Sequence, residues 1–158
     1  AERCGVAHAI AVNNCTAGLH LALLALGVRE GDEVLVADYT FPATGHAVLF
    51  CGGRPVFVDV RADTATIDPS AVEAAITPRT RGIVVVDALG QVADYDEIET
   101  IAKSRGLFVL EDAACAAGRH QGLAAPALWP SASKANRCCL RANASCARPF
   151  SASRAQAS

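Results

Sequence analysis

No acidic residue follows Asp112, no run of about 18 apolar residues occurs, and no two cysteines stand in a C-x-x-C spacing. Without a long apolar run there is no candidate membrane-spanning helix. The seven cysteines are odd in number and lack ligand spacing, so they describe neither a zinc site nor a disulfide framework. Cys4, Cys15, Cys51 and Cys115 read as small, partly buried thiols of a reduced, cytoplasmic protein. The N-terminus lacks the basic-then-apolar pattern of a secretory signal. The four histidines, His8, His20, His46 and His120, share no ligand spacing and read as surface or helix-face residues. No G-x-G-x-x-G, P-loop or G-x-S-x-G pattern occurs, which removes the main support for dinucleotide, P-loop nucleotide and serine-hydrolase chemistry. A net charge of -2 gives no general pull toward nucleic acid or anionic membrane.

What is present suits one α/β domain. The chain has 158 residues, 52% of them hydrophobic and 19% charged, which is ample material for a core. Residues 16–27 predict a helix, with Leu19, Ala22, Leu23 and Leu26 on one face and Gly27 at the C-terminal cap. Residues 33–37 predict a strand, 42–51 a helix closed by Gly52 and Gly53, and 55–60 a β-branched strand. Asp68 and Pro69 open the next helix as N-cap and first helical residue, and Thr77-Pro78 ends it. Residues 83–86 predict a short buried strand. Residues 94–105 predict the clearest helix, with Asp94 and Glu97 at its start, Lys103 and Arg105 at its end, and Gly106 beyond. Residues 107–110 predict a strand that runs into Glu111 and Asp112. Alternation of strands and helices through short links implies right-handed crossovers and a mostly parallel sheet. The strands are apolar throughout, as when both faces of a sheet are covered.

Ligands of such sheets bind beyond the carboxyl ends of the strands, where Asp112 is expected. A carboxylate ending a buried apolar strand needs a partner. A protonated heterocyclic nitrogen, as in pyridoxal phosphate (PLP), is one; capping of the next turn is the other, and position alone leaves both open. Residues 13–18 (NNCTAG) open the first helix, whose dipole and amides make an anion site to which Thr16 adds a hydroxyl. Helix capping by Asn14 or Thr16 accounts for the same residues. Phe41, in residues 38–44 (DYTFPAT), offers a ring to stack on a planar cofactor, although an isolated Phe is more often a core residue.

Taken together, these stretches resemble the DegT/DnrJ/EryC1/StrS family of PLP-dependent sugar aminotransferases, over about residues 5–122. Residues 12–23 (VNNCTAGLHLAL) resemble the family's VNSGTAALHLAL. The resemblance continues, in order, through GDEV at 31–34, YTFPAT at 39–44, PVFVDV at 55–60, ITPRTR at 76–81, the Gly90-Gln91 and Asp94 pattern, and EDAA at 111–114. It implies part of a fold type I PLP-transferase large domain, with active sites at a homodimer interface. The implied reaction moves an amino group from glutamate or glutamine to a nucleotide-linked keto-sugar, for surface polysaccharide or a glycosylated metabolite. By the same resemblance Asp112 pairs with the pyridine nitrogen, Phe41 stacks on the ring, and the backbone at Cys15 and Thr16 holds the phosphate. Cys115 takes the place of a glutamine near the cofactor.

The chain departs from the family in several places. Cys15 replaces a glycine, bringing a sulfur toward the phosphate. Asp87 and Ala117 replace histidines. Lys134 lies near the distance downstream of Asp112 at which the family carries its Schiff-base lysine, but its context, Trp129-Pro130-Ser131-Ala132-Ser133-Lys134, does not match, and a solvated lysine is the simpler reading. These departures count against PLP binding and catalysis by this chain alone. Residues 123–158 are rich in Ala, Ser, Arg, Cys and Pro, without glycine or a strand-like run. They read as a tail separate from the domain of residues 1–122, either disordered or an out-of-frame translation of a GC-rich gene. The alternative to an aminotransferase is therefore a truncated or frame-shifted product with no enzymatic role.

Overall fold

The computed structural model describes residues 8–116 and the backbone of residues 140–143. Helix α1 spans Cys15–Ala25, followed by β1 Glu33–Ala37, α2 Pro42–Phe50, β2 Arg54–Val58, α3 Pro69–Ala75, β3 Thr80–Val86, α4 Tyr95–Arg105, β4 Phe108–Asp112 and β5 Leu140–Asn143. The sheet order is β2-β1-β3-β4-β5. β1 pairs in parallel with β2 and β3, and β3 with β4, whereas β5 runs antiparallel to β4.

The order explains the layers. The chain steps outward from β1 to β2, then crosses back over β1 to β3 and on to β4. Right-handed crossovers in opposite directions put helices on opposite faces. Leu19 and Leu23 of α1 and Val48 of α2 therefore pack in one core with Val34, Val36, Val84, Phe108 and Leu110. Val72 of α3 and Ile98 of α4 pack in the other with Leu35, Ala37, Ile83, Val85 and Val109. Successive strand side chains alternate between the two cores, so apolar residues are needed at every position. The reversal of direction falls between β1 and β3, which is where sheets of this kind open a crevice at their carboxyl ends.

The caps follow the residue chemistry. Asp68 and Asp94 accept from the amides of Ser70 and Glu97 at the starts of α3 and α4, and Asn14 accepts from Ala17 at the start of α1. Gly106 closes α4 with φ 65°, and Gly27 follows α1 with φ 77°, both in the left-handed region that favours glycine. Several bounds differ from expectation. β3 begins at Thr80, before Ile83, because Glu33 and Val34 of β1 supply partners for Thr80 and Gly82. β4 extends through Asp112, since β3 pairs with it to Val86↔Asp112. β2 ends at Val58, and Val60 forms only an isolated bridge to Ile67. The absence of any strand-like run after Leu123 is corrected by β5, whose backbone pairs with the edge of β4 without requiring an apolar pattern.

Candidate functional site

Each of the four parallel strands leads to an aspartate at the carboxyl edge: Asp38 after β1, Asp59 after β2, Asp87 after β3, and Asp112 as the last residue of β4. Asp38 and Asp59 are exposed, whereas Asp87 and Asp112 are buried. Asp112 is 5% exposed and lies among donors from three separate elements. The hydroxyl of Thr44, in the first turn of α2, donates to Oδ2 at 3.0 Å. The amide of Ala114 donates to Oδ1 at 3.2 Å, and the thiol of Cys15, the first residue of α1, contacts the same oxygen at 3.4 Å. The opening turn of α1 and the acid of β4, 97 residues apart, thus share one site. Asp112 caps its own turn through the amide of Ala114, and its Oδ2 carries the separate bond from Thr44.

Phe41 immediately precedes α2 and is 77% exposed, so it is not a core residue. Its carbonyl accepts from the amide of Thr44 at 3.1 Å, which ties the exposed ring to the residue that holds Asp112. Thr16 is half-buried in the first turn of α1. A helix has no internal acceptors for its first amides; Asn14 takes that of Ala17 and leaves the amide and hydroxyl of Thr16 suited to an anion. The sulfur of Cys15 is turned onto Asp112. Cys115 is exposed rather than partly buried, in the turn after β4. Cys15 and Cys51 are half-buried, and Cys4 and Lys134 lie outside the described residues. Among the described histidines, His8 and His46 are exposed and His20 is half-buried on α1.

Sequence reasoning does not single out Thr44, and it reaches Asp87 only as a departure from the family pattern. Asp87 directly follows its apolar strand, much as Asp112 ends β4, and that is its available signal. Its amide donates to the carbonyl of Asp112 at 3.1 Å. Its Oδ1 accepts from the amide of Ala93 at 3.1 Å and the hydroxyl of Tyr95 at 3.2 Å. Burial, and then the charge of Asp87, raise Tyr95 well above the ordinary phenol range, so its hydroxyl stays a donor. Thr44 carried no local signal, because its contact lies 68 residues away.

PLP can be tested against this geometry. An ionised carboxylate has about four acceptor directions. Donors from the described residues take three of them on Asp112, which leaves one for a ring N–H within this set. An exposed aromatic ring and a helix N-terminus adjoin it, and the residues present fit the group.

A parallel α/β domain with a buried acid beside a helix N-terminus, at the carboxyl edge of its sheet, is the large-domain architecture of fold type I PLP-dependent transferases. DesV of S. venezuelae has this structure, with a TM-score of 0.71 and 43% identity over 72% of this chain and 30% of that one. The model of the DegT/DnrJ/EryC1/StrS aminotransferase family matches residues 1–124, and the chain belongs to that family. The spore coat polysaccharide biosynthesis protein SpsC of Bacillus subtilis is 50% identical over 110 residues, 70% of this chain and 28% of that protein. The GDP-perosamine synthase of Caulobacter vibrioides is 48% identical over 118 residues, 75% of this chain and 32% of that protein. The chain therefore spans less than a third of the length of these relatives. Among the described residues, no helix is long and apolar enough to cross a membrane.

Proposed function

We propose that the polypeptide to which this chain belongs is a PLP-dependent aminotransferase that moves an amino group from glutamate or glutamine to a nucleotide-linked keto-sugar. It works in the cytoplasm as a homodimer, on a route to a polysaccharide or another amino-sugar product. Residues 1–122 contribute part of its PLP-binding large domain, and residues 123–158, although different in composition, lend its sheet the edge strand β5. The observation that carries the reading is the meeting of the first turn of α1 with Asp112. When bound, PLP supplies a cationic ring that accepts electrons as a substrate proton leaves.

The chain's own residues divide the work of holding that group. The carboxylate of Asp112 accepts the ring N–H and keeps the ring charged. Phe41 covers one face of the ring. Thr16, with the backbone at Cys15, binds the phosphate through amides and the dipole of α1. Cys115 stands at the rim. These residues bind and orient; proton movement at the substrate carbon belongs to an amine such as that of the family's lysine.

Purified protein mixed with PLP, followed by absorbance and borohydride trapping, tests the reading. Binding weakened in Asp112→Asn is the expected result, and binding indifferent to that substitution would overturn it. Mass spectrometry of the trapped adduct locates any lysine involved, Lys134 included. A product without enzymatic role is the second reading. The sequence around Lys134, unlike the family's lysine segment, favours it, and transamination of a nucleotide-linked keto-sugar by the purified chain would remove it.

A further inference from the structure

We propose that Thr44 is a positioning residue that leaves Oδ2 of Asp112 as the oxygen receiving the ring nitrogen of the cofactor, with Thr40 fixing the direction of the Thr44 hydroxyl. The inference rests on the PLP reading of the site and assigns its atoms.

The two oxygens of Asp112 are not equivalent. Oδ1 takes two donors, the Ala114 amide at 3.2 Å and the Cys15 thiol at 3.4 Å. Among the described residues, Oδ2 takes one, the Thr44 hydroxyl at 3.0 Å. With about two acceptor directions on each oxygen, the open direction is on Oδ2. The Thr44 and Thr40 hydroxyls lie 2.9 Å apart, a distance at which either can donate. An ionised carboxylate has no proton to give, so the hydrogen of Thr44 is committed to Asp112. Thr40 is then the donor to Thr44, and the chain runs Thr40 to Thr44 to Asp112. Hydrogen bonds linked head to tail polarise one another, which strengthens the bond to Oδ2.

The chain is held where it can act. Thr44 is 1% exposed, so water does not replace its hydroxyl. Its amide is bonded to the carbonyl of Phe41, which fixes the backbone of Thr44 at the start of α2. Rotation of the Asp112 carboxylate would sacrifice the Thr44 bond and both bonds to Oδ1.

The test uses the purified chain and pyridoxine 5′-phosphate, which has no aldehyde to react with lysines. A second probe is the analogue in which C–H replaces the ring nitrogen. Calorimetry gives the affinity for each. Wild type should prefer the pyridine probe. Thr44→Val should shrink that preference about tenfold, the scale of one hydrogen bond to a charged group, while affinity for the carbon analogue stays in place. Thr44→Ser should restore the preference, and Thr40→Val should reduce it by a smaller factor. A packing role alone predicts equal losses for both probes in Thr44→Val; that result overturns the proposal, as does a Ser variant that behaves like Val. Should Thr44→Val fail to fold by circular dichroism, Thr40→Val decides: an unchanged preference overturns the directed chain. Asp112→Asn separates the two readings. Loss of the preference there but not in Thr44→Val or Thr40→Val overturns the role of the threonines alone. No binding by wild type, or an equal preference in Asp112→Asn, overturns the cofactor reading and this inference together.

Discussion

At the amino end of the sheet, opposite Asp112, another buried carboxylate is held by a different set of partners. Glu33 begins β1 and accepts from the Thr77 hydroxyl at 2.5 Å and from Nε and Nη2 of Arg79 at 3.1 and 2.7 Å. Arg54, at the start of β2, lies 3.7 Å from Oε1, the oxygen that Arg79 bonds; Thr77 bonds Oε2. The Thr77 bond, then the Arg79 bonds, hold the Glu33 carboxyl below its ordinary range, against the opposing effect of burial. Both arginines are largely exposed, so water screens their charges and the hydrogen bonds carry most of the effect. Glu33→Gln is expected to lower stability by about 1–3 kcal/mol at neutral pH, read as a lower urea midpoint. A carboxyl whose folded value is depressed contributes stability above its unfolded value, and loses it as pH falls through the folded value. The gap between wild type and Glu33→Gln should therefore close as pH drops below the ordinary glutamate range. A gap that persists in acid would show that shape rather than charge matters at Glu33. Single residues of this kind were unevenly legible in the sequence. Asp112 was visible because an apolar strand delivers an acid to a ligand edge. Glu33 and Thr44 were not, because their partners lie far along the chain and only the folded register joins them.

At the scale of elements, local chemistry settled most of what was readable. β1 matches its expected bounds because its five apolar-to-acidic positions are all buried and flanked by polar turns. α4 was legible because Asp94, Lys103, Arg105 and Gly106 mark its ends independently. Removing the Asp94 cap, as Asp94→Ala, should cost about 1 kcal/mol by urea denaturation with an unchanged m-value. β3 starts earlier than its apolar run predicts, because Thr80, Arg81 and Gly82 look like a turn when seen alone. The structure supplies the reason for the glycine. Gly82 pairs with Phe108 across β3 and β4, and an added Cβ would lie 2.3 Å from carbons of the Phe108 ring. That ring is 1% exposed and packed among Leu19, Leu23 and Leu110, so it has nowhere to move. Gly82→Ala should therefore cost on the order of 3 kcal/mol, well beyond the usual loss for an exposed helix cap. A thermal melt close to wild type would mean that the two strands can separate locally without loss of the core.

Across the whole molecule, the reversal in the order of strand addition, outward from β1 to β2 and then back past β1 to β3, gathers distant elements at one edge of the sheet. It sends α1 and α2 to one face and brings both N-terminal ends to the carboxyl edge beside β4, so that Cys15, Thr44 and Asp112 converge from elements separated by most of the domain. A ligand seated there touches the first helix, the second helix and the central sheet at once, and it binds only the folded arrangement. Binding must then stabilise the domain as a whole rather than one loop. At a free concentration a hundred times its Kd, such a ligand adds about 2.7 kcal/mol. For a domain of this size that is a rise on the order of 5 °C or more in Tm. Pyridoxine 5′-phosphate should produce this rise in wild type. Inorganic phosphate, which engages only the end of α1, should produce a smaller one. Asp112→Asn should reduce the first effect toward the second, because the phosphate contacts survive while the ring contact does not. Equal rises with both ligands would place all the binding at the helix terminus, and the convergence on Asp112 would then have no part in holding the ring.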